Sequence, residues 1–366
     1  MSPIVRDAIV LSGWNWDAFN VPERMALALA RAGSRVLYCE NPVSVLRSSA
    51  RVLTEVEKGV FALGLKFVSH RLSALPILRR VQAKLLANQI VGNARRLGLR
   101  DPIFVYPHGD YCLTLCREFK CRGFRLIHIS MDYELELQVE HARESDMTLS
   151  IPHAAYQELH AKFGEKIKLL PQFSAHDDAN GATGRRRGST VLARIPGPRL
   201  GYLGNITGRI SVPLLAEILT EHPEWHFVSF GKTNGLSLSN GHVMPWQSHS
   251  ELSTILDGLD VGFMPYDCSD PKNLHCAPLK LFDYFAQGIP VVSTPIVYLR
   301  QFEDLVYLGT TPRELGDKIS EALAEPLQSP KRAKRQAIAR KHSIDNLSRL
   351  LVTLLDLSNP VGSNDL

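Results

Sequence analysis

Apolar positions along the chain come in short runs set between longer amphipathic stretches. Runs at 4–11 (IVRDAIVL), 35–39, 103–106, 126–129, 147–150 and 167–170 read as strands, because strands buried on both faces are continuously apolar rather than alternating. Pro22 opens a helix that reaches Arg31 and stops at Gly33, and Pro152 opens another that stops near Gly164. The same rhythm resumes at 199–203, 225–230, 242–244, 261–265 and 289–293, with helices expected at 247–256, 278–288 and 311–324 and a long terminal helix over 331–357. Strand and helix in alternation predict parallel sheets of the α/β class. Residues 44–98 break the rhythm. There Phe61, Leu65, Val68 and Leu72 follow three-to-four spacing, so the stretch reads as mostly helical. Residues 174–198, which include GRRRG at 184–188, have linker composition.

A length of 366 residues suits two domains, and 45% hydrophobic with 22% charged residues suits a soluble globular chain. No run reaches the length of a membrane span, and the first residues, MSPIVRDAIVLSG, read as a strand rather than a signal peptide. Cysteines 39, 112, 116, 121, 268 and 276 show no CxxC pair, so reduced cytosolic thiols and no metal site are expected. No GxGxxG follows the first strand, which argues against a dinucleotide dehydrogenase. The net charge of +5 is uneven. Nine Lys or Arg and no Asp or Glu lie between Lys58 and Arg100, and KRAKR stands at 331–335. The first run, with Lys58, Lys66, Arg71, Arg79, Arg80 and Lys84 among apolar residues, reads either as a peripheral surface for anionic lipid or as an ordinary solvated face.

The densest chemistry lies at 258–296. A helix opened by Pro278 would carry Lys280 and Asp283 on one face of its first turn. Its free N–H groups and partial positive charge favour phosphate. Lys280 adds a full charge, and Asp283 has the acceptors to take both hydroxyls of a ribose. In an open parallel sheet such a helix starts where ligands bind, at the carboxyl ends of the strands.

Pro278-Leu279-Lys280, Asp283, then Ala286, Gly288, Pro290, Val291, Val292 and Thr294 resemble the donor-binding segment of GT-B glycosyltransferases, most closely the retaining group classed as family 4. Two departures stand out: the acidic residue is Asp283 rather than Glu, and His275 stands where many members have a second Glu. The resemblance implies two Rossmann-like domains facing a central cleft: an acceptor domain over 1–175, a nucleotide-sugar donor domain over 199–330, and a terminal helix over 331–366 crossing back to the first. It implies a sugar transferred from a nucleotide-diphosphate sugar, with retention, to a glycan, lipid-linked or small-molecule acceptor, as in polysaccharide biosynthesis. It also gives roles to residues. Arg209, in the glycine-rich turn 201–209, and Lys280 would hold the diphosphate; Gly13, Gly204, Gly231, Met244, Leu279 and Asp283 would line the donor site. His108 and Asp132, which follow apolar strands, are candidate catalytic groups, with Asp110 and His128 beside them. Asp132 reads equally as a cap of the next helix, and His128 as a packed core residue. Trp14 and Trp16 either face the acceptor or pack their loop. No cofactor, metal or nucleic-acid partner is expected, and the reaction is placed in the cytoplasm or at the inner face of the membrane. The competing readings are a non-hydrolysing nucleotide-sugar epimerase and a non-catalytic binding protein of the same fold.

Overall fold

The computed structural model describes residues 5–17, 20–45, 50–68, 75–174, 192–206, 208–231, 238, 240–245 and 249–357. The chain divides into two compact units: Met1–Pro171 with Ile344–Leu366, and Gln172–Ser343.

In the first unit the order is β1 (Ala8–Leu11), α1 (Val21–Arg31), β2 (Val36–Cys39), β3 (Val43–Ser44), β4 (Thr54–Glu57), β5 (Val60–Leu63), β6 (Lys66–Phe67), α2 (Pro76–Arg96), β7 (Ile103–Pro107), α3 (Asp110–Cys121), β8 (Leu126–Ser130), α4 (Leu135–Glu144), β9 (Met147–Ser150), α5 (His153–Phe163) and β10 (Ile167–Leu169). Eight strands form one sheet in the order β10-β9-β8-β7-β1-β2-β5-β4, and all neighbours are parallel except β4 and β5. Strands β1, β2, β7 and β8 are buried along their whole length. Helix α1 starts where the sequence marks it: the Asn20 side chain accepts from the Glu23 amide at 2.9 Å, and Pro22 follows.

The helical reading of 44–98 holds only for its second half, α2, and Leu72, one of the residues that carried it, lies outside the described residues. Residues 43–67 hold four short strands, and the helix begins only at Pro76. Phe61 lies in β5, and Leu65 is buried in the turn after it. The helical spacing is coincidental, because V-F-A-L pairs in register with β2, from Val36↔Val60 to Cys39↔Leu63. Tertiary pairing overrides a local period here.

The second unit holds β11 (Arg199–Leu203), α6 (Val212–Glu221), β12 (His226–Phe230), β13 (Gly241–Met244), α7 (His249–Asp257), β14 (Val261–Met264), α8 (Pro271–Leu274), α9 (Lys280–Gln287), β15 (Val291–Ser293), β16 (Val306–Leu308), α10 (Pro312–Leu323) and α11 (Pro330–Lys341). Its six strands run parallel in the order β13-β12-β11-β14-β15-β16. Numbered within the unit this is 3-2-1-4-5-6, the dinucleotide-fold order. Of the expected linker, 175–191 lies outside the described residues.

The terminal helix is two helices. His342 ends α11 by turning inward, its ring stacked on Phe282 at 4.2 Å. Helix α11 packs on α9 within the second unit; α12 (Ile344–Leu354) packs on α1 within the first. The basic run 331–335 is not wholly a surface either. Arg335 is fully buried, 2.6 Å from Glu325, and donates to the Leu305 carbonyl at 2.9 Å.

Candidate active site

A ligand in an open parallel sheet sits beyond the carboxyl ends of the strands, where the strand order reverses and adjacent connections leave in opposite directions. In the second unit that point lies between β11 and β14. Beyond β11 come Gly204 and the turn to Arg209; beyond β14 come Pro265 and Tyr266. Helix α9 joins β14 to β15, so its first residue, Lys280, stands at the same end.

The structure gathers these groups. Lys280 Nζ donates to the Tyr266 hydroxyl at 3.0 Å and lies over the Tyr202 ring at 4.0 Å. Burial, then neighbouring Tyr202 and Cys276, push the Tyr266 phenol well above its ordinary pKa, while the charge of Arg209 pulls it down. Arg209 thus acts electrostatically on the phenol that Lys280 binds. The Arg209 turn is stitched to the segment after β14: Asp267 N–H donates to the Arg209 carbonyl at 2.8 Å, and Ile210 bridges to Tyr266.

Two glycines are required by geometry. Gly204 has φ +130, and a Cβ there would lie 3.5 Å from Lys280 Nζ. Gly231 has φ +147, and a Cβ there would stand 2.8 Å from the Gly204 carbonyl oxygen. Both adopt backbone conformations that other residues avoid. Gly231 N–H also donates to the Met244 carbonyl at 3.3 Å. Gly204, Gly231 and Met244 therefore line the ends of three adjacent strands, and Lys280 lies beside the first. Leu279, half-buried, is the N-cap of α9 and offers no side-chain cap to its amides.

Asp283 is placed differently from the expectation that it stands open beside Lys280. It is 3% exposed and accepts from Ser174 Oγ at 3.4 Å. His275 caps the carboxyl end of the short helix α8. The sequence reading missed the tyrosines. Tyr202 and Tyr266 hold Lys280, and Tyr284, one turn beyond it, fixes α9 to β11 by accepting from Leu203 N–H at 3.1 Å and donating to the Gly201 carbonyl at 2.9 Å. The available signal was position: Tyr202 is the penultimate residue of β11, and Tyr266 follows two residues after the end of β14, the strands that flank the switch point.

In the first unit the order reverses between β1 and β7. Gly13 follows β1, and His108 follows β7. A Cβ at Gly13 would touch nothing within 4 Å, so no close approach inside this structure requires a glycine there. Trp16 is buried and meets Tyr38 edge-on at 5.1 Å, whereas Trp14 is 45% exposed. One tryptophan packs the loop and the other faces outward. His108 Nε2 lies 3.7 Å from Glu134, an acid that the sequence reading passed over. Behind it His128 stacks on His141 at 5.1 Å, and Gly109 N–H donates to His141 Nε2 at 3.3 Å. His128 is a core residue: burial, then His141 and His108, hold its pKa well below the ordinary histidine range. Asp132 does not cap α4, whose N-cap is Glu134; its carbonyl accepts from the Gln138 side chain. The Asp110 side chain lies outside what the structure describes. Among the described residues no group of three or more His, Cys, Asp or Glu is arranged to hold a metal ion.

No family model matches the chain. The putative teichuronic acid biosynthesis glycosyltransferase TuaH of Bacillus subtilis (strain 168) is 32% identical over 114 residues, which is 29% of this chain and 28% of that protein. Solved structures match nearly end to end. A trehalose-phosphate synthase from Burkholderia xenovorans in complex with glucose-6-phosphate has TM-score 0.64 at 12% identity, over 96% of this chain and 100% of its own. Sucrose-phosphate synthase from Thermosynechococcus elongatus has TM-score 0.63 at 13% identity, over 96% and 98%. An E. coli trehalose-6-phosphate structure bound with UDP-2-fluoro glucose has TM-score 0.63 at 11% identity, over 97% and 99%. Identities this low carry the fold and nothing finer. The chain has the GT-B fold, with two Rossmann-like units.

Proposed function

We propose that the chain is a glycosyltransferase that takes a sugar from a nucleotide-diphosphate sugar and passes it, with retention, to a hydroxyl of a glycan, lipid-linked or small-molecule acceptor. The observation that carries this reading is Lys280, held by Tyr202 and Tyr266 at the switch point of the donor-type sheet, with Arg209 acting on the same phenol. The E. coli neighbour bound with UDP-2-fluoro glucose supports a donor of this class, and the TuaH likeness supports a glycan product. The reading puts the reaction in the cytoplasm, where nucleotide sugars are made.

In the reaction the bond from the anomeric carbon to the diphosphate oxygen breaks and the acceptor oxygen bonds to that carbon. The acceptor proton passes to the departing diphosphate. Charge develops on that diphosphate, so cations fixed in advance stabilise the transition state more than the ground state. Arg209, Lys280 and the amino end of α9 take that role, and no metal ion, cofactor or protein nucleophile is assigned. The main-chain groups of Gly204, Gly231 and Met244 would border the nucleotide, with Leu279 at the helix start and Asp283 on the ribose. In the first unit His108, Asp132 and the loop at Gly13 would receive the acceptor and the sugar.

The test is a screen of UDP- and GDP-sugars by thermal shift and nucleotide release, with and without EDTA. Stabilisation by one donor class and nucleotide release unaffected by EDTA are expected, both lost in Lys280→Ala. Donor binding by a wild-type chain that never releases nucleotide, whatever acceptor is offered, would make it a binding protein. Interconversion of the sugar on the nucleotide would make it an epimerase.

A further inference from the structure

Helix α2 has two exposed stripes that no partner among the described residues of its own unit covers. Ile77, Val81 and Leu85 recur every four residues and are 76%, 49% and 46% exposed; Leu75, at the N-cap, is 58% exposed. Arg80 and Lys84, also exposed, run alongside one residue behind. The opposite face, with Ala83, Leu86, Ala87 and Ile90, packs into the unit. Val45 and Val68, 49% and 41% exposed, extend the apolar surface from beside the β3–β6 ribbon. Together with Lys66, Phe67, Gln82 and Leu85, among others, they line a hollow of about 380 Å³.

The position of this surface follows from topology. Arg35, ahead of β2, donates to the Leu97 carbonyl at 2.8 Å, which ties the end of α2 to the amino end of the sheet. A 21-residue helix spans about 30 Å, whereas the five residues of β7 span about 17 Å. Running back from that tie, the first turns of α2 reach past the carboxyl end of the sheet. That is the end where Gly13, His108 and Asp132 lie. The charge of the helix itself is of one sign, since no Asp or Glu occurs from Lys58 to Arg100. Of the acids on neighbouring elements, Glu118 of α3 is paired with Arg122, which also donates to Asn88 of α2 at 2.9 Å, and Glu55 and Glu57 of β4 pair with Phe61 and Val60, toward the amino end of β5.

We propose that the first half of α2, with Val45 and Val68 beside it, is a docking surface for an anionic lipid bilayer. Ile77, Val81 and Leu85 enter the headgroup region, and Arg80 and Lys84 meet lipid phosphates. Exposed apolar residues in a line, flanked by cations on a helix that carries no acid, complement an anionic apolar surface and are otherwise costly to leave in water. This places the bilayer at the end of the unit that the proposed function assigns to the acceptor, so it rests on that reading for its purpose but not for its binding.

The test is co-sedimentation of the full chain with vesicles of phosphatidylcholine alone and of phosphatidylcholine mixed with phosphatidylglycerol, at low and high salt. Binding is expected on the mixed vesicles at low salt. Arg80→Gln with Lys84→Gln removes two contacts and should weaken it by roughly thirtyfold. Ile77→Asp with Val81→Asp should abolish the part that survives high salt, with circular dichroism and nucleotide release in the absence of vesicles unchanged. No binding to the mixed vesicles at low salt overturns the proposal while leaving the donor reading intact, and so does wild-type binding by both variants. A concentration-dependent dimer in sedimentation velocity that Ile77→Asp disperses would show that a second copy covers this face, which also overturns it.

Discussion

At the switch point of the second unit a lysine and an arginine meet two tyrosines, Tyr202 of β11 and Tyr266 after β14; at that of the first unit His108, after β7, meets Glu134, backed by His128 of β8 and His141 of α4. Both sheets share the 3-2-1-4-5-6 core order, so the backbone offers the same crevice twice. The difference lies in what each set can neutralise. Two cations and a helix amino end suit a dianionic leaving group. An imidazole beside a carboxylate, backed by a buried neutral imidazole, suits hydroxyls. The strand order sets where a ligand can sit, and the side chains at the strand ends set its charge.

Arg335 is a cation of the second unit that serves as scaffold, and Lys280 must differ from it if it serves the ligand. Its charge is fully buried against Glu325. Burial alone would raise the Glu325 pKa, but Arg335 and the Tyr307 hydroxyl outweigh it and hold the carboxyl below its ordinary range. Arg335→Ala should cost about 3–5 kcal/mol in urea unfolding, because it leaves a buried carboxylate unpaired. The carboxyl is depressed in the folded state. Its contribution is therefore complete above the ordinary carboxylate pKa and is lost as pH falls through the lower folded value. Lys280→Ala should behave oppositely. Its melting temperature should stay near wild type, while kcat/KM falls by about 2–4 kcal/mol of transition-state stabilisation. His108→Ala, in the other unit, should leave nucleotide affinity untouched. Equal loss of nucleotide affinity in both variants would erase the distinction.

Much of this was legible in the chain. Continuous apolar runs, with Pro at helix starts and Gly at helix ends, mark β1, β2, β7 to β15, α1, α5, α7, α9 and α10 to within a few residues, because burial on both faces and capping are local signals, while α3, α6 and β16 were not predicted and α4 was given no bounds. Lys280 and Arg209 were legible from the helix start and the glycine turn. Three further features were not. The strands at 43–67 follow a helical spacing by accident and form only because β2 pairs with β5. The break at His342 depends on a stack with Phe282, sixty residues away. Of the tyrosines that hold Lys280, Tyr202 lies in β11 and Tyr266 follows β14, strands that are neighbours only after the sheet order reverses. Each depends on contacts distant in sequence, which no window of residues contains.

Asp283 lies one turn beyond Lys280, yet is buried against Ser174. As a ribose ligand, Asp283→Asn should weaken UDP or GDP binding by about 1.5–3 kcal/mol, the value of a charged hydrogen bond. Isothermal calorimetry checks this. Unchanged affinity with a lowered melting temperature would make Asp283 part of the packing between α9 and the Ser174 segment.

The smallest effect tests the neutral side of the comparison. His128 is fully buried on β8, facing Tyr106 of β7, His108 beyond it, His141 of α4 and Thr148 of β9. Burial, then the neighbouring His141 and His108, keep its folded pKa well below the ordinary value. In the unfolded chain the same ring takes a proton near pH 6.5. Between those two values the unfolded state binds the extra proton, so stability must fall as pH drops below about 6.5, by about 1.4 kcal/mol per pH unit for this one group. Above that pH neither state is protonated and the group contributes no slope. His128→Leu removes the titration while keeping an apolar side chain, so its stability curve between pH 6.5 and the folded pKa should be flatter by one proton. Urea midpoints measured across that range give the slope directly. An unchanged slope in the variant would mean that His128 accepts its proton in the folded state. The crevice of the first unit would then be cationic in mild acid, and the contrast with Lys280 and Arg209 would hold only at neutral pH.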